Sequence, residues 1–482
     1  MTRAWELRWP AIRPWHTNLG LLLLGAGLVA MSQQFLSEYH HFAIGFSGVS
    51  GWSAILYMAA CAVILTGPVD RLTFPIILGV AVLCRLIVLL PAPFLSTDVY
   101  RYVWDGLVQH AHINPYRYVP SDPALQLLRD HHSAIFDHIN RRSYARTMYP
   151  PAAQGLFYLT TAISPTVTWM KAVMVLFEGV TLYGLVQFLA IMGIRREQTL
   201  LYAWCPLLFQ EIAASGHVDS AAIAFMVLAL LVRARHRPVA TGLFLGLAVL
   251  TKLYPLVLLP ALYRRGDWKM PATLATVVAA GYAAYASAGT MIFGFFSGYA
   301  REEGLKSGER YSLLDWARHL PGLESLPPLA FYLFCAAIFA ALTVWAWRAT
   351  SQANSDSHSV DSPNPKPATL VFLAPAFGLA AALMLLFSPH YAWYIAWLVP
   401  FFCLLPNLPA LAYLMGFFYG YTTALATPGP KIFLLNEYLY ATVLAAILVH
   451  IGLRQLPDHW PVHRRRPQAQ QAEQSSAASD PL

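Results

Sequence analysis

Leu95-Ser96-Thr97-Asp98-Val99-Tyr100-Arg101-Tyr102-Val103-Trp104-Asp105-Gly106 follows directly on an apolar run from Leu72 to Phe94, and this junction decides how the chain is read. About 20 apolar residues in a row span the hydrocarbon core of a bilayer as a helix. The twelve residues after the run begin a second helix of another kind. Ser96 or Thr97 can cap it, and Asp98 falls in its first turn, where the helix dipole favours an anion. Asp98, Arg101, Tyr102 and Asp105 then share one face, at spacings of three, four and seven. At about 1.5 Å per residue the two carboxylates stand roughly 10 Å apart, far enough for separate roles along one cleft. The plainer alternative is that Asp98 caps the helix and Asp105 pairs with Arg101. Such a helix is expected to lie along the membrane surface.

The rest of the chain carries the same pattern of apolar runs. Of 482 residues, 57% are hydrophobic and 12% charged, with a mean hydropathy of +0.50; a soluble domain usually carries about a quarter charged residues. In lipid each peptide group must be satisfied within its own segment or in a closed barrel, and the short alternating segments of a barrel are missing. The expected fold class is therefore an all-α polytopic membrane protein. Apolar segments are read at Leu19–Met31, Gly51–Leu65, Leu72–Phe94, Thr166–Ile194, Leu200–Ser215, Ser220–Val232, Val239–Ala261 and Pro271–Ala288. Others follow at Pro328–Trp347, Leu370–Phe387, His390–Leu405, Pro409–Ala426 and Tyr438–Leu453, giving about 12 to 14 spans by length. The basic start (Arg3, Arg8, Arg13) before an apolar run also fits a signal peptide, but a first span with its amino end inside is preferred.

The net charge of +8 comes from short basic clusters between apolar runs, which fits topology rather than nucleic acid. By the positive-inside rule the loop after Met31 lies outside, and so does the long loop 95–165. Splitting Val239–Ala261 into two short helices around Lys252 puts both neighbouring basic clusters, Arg233 to Arg237 and Arg264-Arg265, inside. The segment Gly289–Pro327 then falls outside by parity although it holds Arg301, Lys306, Arg310 and Arg318. Residues 349–368, rich in Ser, Asn, Asp and Pro, read as a cytoplasmic linker, and residues 454–482 as a disordered cytoplasmic tail. The five cysteines sit in or beside apolar runs without paired spacing, so neither a disulfide framework nor a metal site is indicated. No cofactor is implied.

The loop 95–165 is too long to be a mere connection. Beyond the acidic helix start it carries Ile113-Asn114-Pro115-Tyr116 and Tyr149-Pro150-Pro151-Ala152-Ala153-Gln154. Elsewhere, polar groups recur at predicted outer ends: Glu211, His217 and Asp219; Lys252 in Leu250-Thr251-Lys252; His390 and Tyr391 in Ser388-Pro389-His390-Tyr391. Charges near a membrane interior are costly and face a cavity or a partner. A lysine there suits a lipid phosphate, with snorkelling to the interface as the alternative. Arg85, Lys171 and Glu178 read as an internal network.

Taken together these motifs resemble bacterial members of the GT-C superfamily of membrane glycosyltransferases, in particular polyprenyl-phosphate-mannose-dependent mannosyltransferases including glycosyltransferase family 87. The likeness runs over about residues 72–453, and two spans (residues 1–71) precede that core. The resemblance implies a GT-C-like helical bundle whose large extracytoplasmic loop bears amphipathic helices and the catalytic base, a position Asp98 matches. The family commonly shows one acidic residue or an adjacent acidic pair there, and here Thr97 precedes Asp98. It further implies inverting transfer of a hexose, most simply mannose, from a polyprenyl-phosphate sugar donor to a lipid-linked or glycan acceptor, at the bacterial plasma (inner) membrane. Arg101, Asp105, Tyr149, His217, Asp219, Lys252, His390 and Tyr391 are the candidate substrate-binding residues. One carboxylate suffices, since the phosphate leaves already ionised and needs no general acid. The rival classes are a transporter or flippase of lipid-linked sugars, for which polar groups near mid-membrane and internal repeats are expected, and a ligase that moves a completed glycan.

Overall fold

The computed structural model describes residues 13–37, 45–356, 370–388, 391–416 and 434–455. His390, most of the expected linker and nearly all of the expected tail lie outside these. Every regular element among the described residues is helical. The principal helices are α1 (Pro14–Ser37), α2 (Gly45–Thr66), α3 (Thr73–Leu89), α4 (Asp98–His110), α5 (Pro151–Ile163), α6 (Val167–Ile191) and α7 (Asp219–Ala234). They continue as α8 (Pro238–Thr251), α9 (Lys269–Ala284), α10 (Phe296–Glu302), α11 (Ser312–Arg318), α12 (Pro328–Asp356), α13 (Leu373–Phe387) and α14 (Leu434–Gln455).

Helices α1, α2 and α3 pack together, and a second row runs α6, α7, α8, α9 with each against the next. Among the described residues α1, α2, α6 and α12 are long and apolar enough to cross a bilayer unaided. The bent pair formed by α9 and Ala286–Glu302, which turns through 108°, would make a fifth. Helices α3, α8, α13 and the stretches Ala392–Leu404 and Leu439–Gly452 are apolar but shorter. Among the described residues the spans expected from hydropathy thus take the form of four or five full-length candidates and a set of short or broken helices, and most of the expected span Pro409–Ala426 lies outside the described residues.

The clearest break is the segment expected as one span at Leu200–Ser215. It is a chain of short turns, Leu200–Ala203, Pro206–Leu208 and a π-helical stretch Phe209–Ala214. Pro206 has no N–H to continue a helix, and Cys205 before it is extended, as a residue preceding proline tends to be. All of residues 199–224 are buried, so these irregular turns lie inside protein, where broken backbone at membrane depth is tolerated. Around Lys252 the expected split is present. Helix α8 ends at Thr251, Lys252 is extended, and Tyr254–Leu258 resumes as a 3-10 turn.

Two buried cations inside the bundle are met in different ways. Arg85 of α3 holds both carboxylate oxygens of Glu178 on α6, at 2.7 and 3.0 Å, and donates to the Ala203 carbonyl at 2.8 Å. Lys171 donates instead to the Pro91 carbonyl at 2.6 Å. Both arrangements are internal, as the sequence suggested. All five cysteines are free and buried.

Helix α4 does not lie with one face open along a surface. Val99 to Val108 are buried without a gap, because α5, α6 and the short helix Ser133–Phe136 enclose it. Two features of its sequence permit this. Val99, Tyr102, Val103, Trp104, Leu107 and Val108 are apolar around most of the cylinder, and Arg101 and Asp105 neutralise each other one turn apart, with Nε to Oδ1 at 2.7 Å.

Candidate active site

The carboxylate at the start of α4 is placed by local geometry. Thr97 occupies the cap position without a side-chain hydrogen bond, while Ser96 Oγ accepts the Asp98 N–H at 3.2 Å. Asp98 itself is half-buried and held from two sides: Asn140 Nδ2 donates to Oδ1 at 2.9 Å and the Tyr149 hydroxyl donates to Oδ2 at 3.3 Å. The loop motifs explain how Tyr149 comes to be there. Asn114 Oδ1 accepts from Tyr116 N in a tight side-chain turn, and the Tyr116 hydroxyl donates to the Tyr149 carbonyl at 2.6 Å. Pro150 and Pro151 then fix the backbone that opens α5, proline being preorganised for the first helical position. The Tyr149 ring stands edge-on to Tyr102 and Phe157. Burial, and then the nearby Asp98 charge, push its phenol well above the usual range, so it remains a donor.

Asp98 opens onto a cavity of about 600 Å3 where the ends of several helices meet. Phe94 and Leu95 follow α3, Lys252 follows α8, Phe387 ends α13, and Tyr391, Trp393 and Tyr394 come from the turn after it. A further wall is the arm that bends away from the end of α9, contributing Phe295, Tyr299 and Arg310. This arm is the segment Gly289–Pro327 that charge and parity pulled in opposite directions. It sits on the same end of the bundle as the loop 95–165. Arg141 Nε meets Glu302 at 2.7 Å, Tyr144 donates to Glu302 at 3.1 Å, and Asn114 donates to the Tyr285 carbonyl at 3.0 Å. The arm is also tied to the loop after α13, through Tyr299 and Tyr394 hydroxyls 2.7 Å apart and Arg310 donating to the Phe387 carbonyl at 3.0 Å.

Among the described residues lining the cavity, Asp98 is the single carboxylate and there are five cations, Arg101, Arg141, Arg146, Lys252 and Arg310. Arg101, Arg141, Lys252 and Arg310 are steadied from behind by an acid, namely Asp105, Glu302, Asp219 and Glu303 respectively. The Lys252 ammonium stands 3.0 Å from Asp219 Oδ2 and 5.2 Å from the centre of the Tyr394 ring. Asp219 is fully buried at the start of α7 and its oxygens accept no well-aligned hydrogen bond, so the ion pair with Lys252 is what compensates it.

Of the residues singled out in the sequence, Asp98, Arg101, Tyr149, Lys252 and Tyr391 therefore line one cavity. Asp105, His217 and Asp219 stand behind its wall. Asp105 is occupied by Arg101 and by Gln154 Nε2 at 2.9 Å. His217 is buried, 3.2 Å from Glu211 and stacked on Trp393, whose own ring stacks on Tyr391. His390 lies outside the described residues. Asn140, Arg141, Tyr299, Arg310, Trp393 and Tyr394 were not singled out. One signal pointed to the arm, namely basic residues on a segment that parity placed outside, an arrangement an anionic ligand would reward.

An all-α polytopic membrane protein with a loop-roofed, cation-lined cavity at one end of its bundle is the class that fold and site define. Comparison with known families makes this specific. Residues 19–264 match the family model described as alpha-(1->6)-mannopyranosyltransferase, N-terminal domain, and residues 147–389 match that of glycosyltransferase family 87. The chain belongs to glycosyltransferase family 87 and is a membrane glycosyltransferase. The first match begins at residue 19, so most of α1 and all of α2, which had stood outside the resemblance, fall within it. No curated protein and no solved structure matches the chain.

Proposed function

We propose that the protein transfers a hexose, most simply mannose, from a polyprenyl-phosphate sugar to the hydroxyl of a lipid-linked or glycan acceptor on the extracytoplasmic side of a bacterial plasma membrane. The observation that carries this reading is one carboxylate, Asp98, facing a cavity whose other described charged residues are cations and whose walls carry several aromatic rings. In this reading Asp98 removes the acceptor proton while the hydroxyl attacks the anomeric carbon from the face opposite the phosphate, inverting it. The bond broken joins the anomeric carbon to a phosphate oxygen, and the polyprenyl phosphate leaves as a stable anion, so no second carboxyl group is required to protonate it. A glycoside leaving group, by contrast, would need one. Lys252, Arg101 and Arg310 supply preorganised positive charge where the phosphate develops its own. Because four of the five cations already have acidic partners, the surplus charge is small, which suits a singly charged phosphodiester better than a diphosphate. The tyrosines and Trp393 supply flat surfaces against which a sugar ring packs. The mannose assignment rests on the family matches.

The test is transfer of radiolabelled mannose from synthetic polyprenyl-phosphate-mannose to membrane lipids by purified protein. Wild type is expected to transfer, and folded Asp98→Asn to lose at least about 100-fold, the lower end of what a positioned base contributes. An Asp98→Asn enzyme near wild-type rate removes Asp98 from the mechanism. Failure of wild type with this donor, but success with another polyprenyl-phosphate sugar, changes the sugar and keeps the chemistry.

A further inference from the structure

The turn that brings Asn140 to Asp98 is an unusual piece of backbone. Arg141 has a φ of +52°, a left-handed conformation that few non-glycine residues adopt and that costs energy unless the surroundings impose it. Here the turn is closed by Ala145 N donating to the Arg141 carbonyl at 3.0 Å and Ser121 N to the Arg142 carbonyl at 3.0 Å. The left-handed step presents two adjacent side chains in different directions at the same cavity. Asn140 meets Asp98 Oδ1, and Arg141 lines the cavity while bound to Glu302 of the arm.

We propose that Asn140 is a positioning residue for the reaction, which together with Tyr149 fixes the rotation of the Asp98 carboxylate by holding one oxygen each. This rests on Asp98 acting as the base. With each oxygen bound by one donor, the plane of the carboxylate is set and a lone pair of Oδ2 stays available to the acceptor proton. Without Asn140 the group is hinged only on Tyr149, on the longer of the two bonds. The donor also stabilises the ionised form, the form a base needs. Other charged and titratable groups facing this region are Arg101 and Tyr102 on α4, Arg141 in the turn, Lys252 after α8, and Tyr391 in the loop after α13. Among the described residues the Asn140 side chain bonds Asp98 and none of these groups, so a shift in the base in a folded variant reports on Asn140.

The experiment compares wild type, Asn140→Ala, Asn140→Asp and Asp98→Asn, all checked for folding in detergent. Asn140→Asp keeps the shape of the side chain and replaces the donor with a second carboxylate. The first readout is kcat and KM against pH with polyprenyl-phosphate-mannose. The second needs no turnover: the pH midpoint for labelling of Asp98 by a water-soluble carbodiimide, read by mass spectrometry. Asn140→Ala is expected to lower kcat about tenfold, with KM changed less, and to move the acid limb and the labelling midpoint upward by about half a pH unit. Asn140→Asp should move both further, by about one unit or more, through repulsion between like charges. A purely structural asparagine would lower activity equally at every pH and leave the labelling midpoint in place; that outcome overturns the proposal. Retained transfer by Asp98→Asn would instead overturn the base assignment, whatever the Asn140 variants do.

Discussion

Gly294→Ala should detach the arm from the roof of the cavity without disturbing the bundle beneath it. Gly294 has φ +52° and ψ −134°, a combination open to glycine alone in practice. A Cβ built there would lie 1.7 Å from the carbonyl oxygen of Thr147, two residues before Tyr149. The obstacle is backbone, so no side-chain rotation relieves it. Ordinary contact begins at 3.4 Å, so the arm and the backbone at Thr147 must part by roughly 1.7 Å. Strain of about 1–3 kcal/mol adds to overpacking of about 1–3 kcal/mol. Even 2 kcal/mol raises the population of the detached arm about 30-fold, since each 1.4 kcal/mol is a factor of ten.

Limited trypsin digestion measures that population directly, because Arg301 and Lys306 lie on the arm and cleavage tracks the open form. The variant should be cut at least about 30-fold faster within the arm, while thermal unfolding of the bundle in detergent stays near wild type. Transfer should fall by about two orders of magnitude, the cost of roughly 1 Å of misplacement in a site. Gly289→Ala is the control: its φ is +57° but nothing lies within 4 Å of the new Cβ, so only the strain applies and the effect should be smaller. Arm cleavage in Gly294→Ala within twofold of wild type would refute the reasoning.

The two aspartates of α4 should separate by phenotype: Asp98→Asn folds and loses transfer, whereas Asp105→Asn strands the buried Arg101 and costs roughly 3–5 kcal/mol of stability, read as a lowered melting temperature. Glu178→Gln leaves Arg85 buried without its counter-ion and should destabilise by a similar amount, roughly 3–5 kcal/mol, while KM for the donor stays unchanged because the pair lies away from the cavity. Lys252→Met should act mainly on donor affinity, raising KM more than it lowers kcat, and its effect should shrink as salt rises. The Tyr149 phenol is pushed up by burial and by Asp98, so it stays protonated and donating beyond pH 10. Rate profiles of wild type and Tyr149→Phe should therefore show no difference in their alkaline limbs below pH 9; a limb that vanishes in the variant would contradict this.

Hydropathy and spacing made much of the protein legible. A run of apolar residues reports the solvent around it, and so the helical membrane class and the break at Lys252 could both be read from local sequence. Hydropathy could not tell a helix facing lipid from turns enclosed by protein. Residues 200–215 are as apolar as a span, yet Pro206 breaks them and other helices bury the pieces. In the site, Asp98, Tyr149 and Lys252 were visible because each sits in a short motif whose residue types are expensive or unusual in a membrane chain. Asn140 and Arg141 were not, since nothing local marks a left-handed arginine. Asn140 reaches its partner across 42 residues and Arg141 across 161, distances at which a one-dimensional pattern carries no signal. The sequence by itself determined the solvent, the helices and the unusual carboxylate at the start of α4. That the basic arm closes over the same cavity, and that Asn140 and Tyr149 hold the two oxygens of Asp98, came from the tertiary fold alone, because these depend on contacts between segments far apart in the chain.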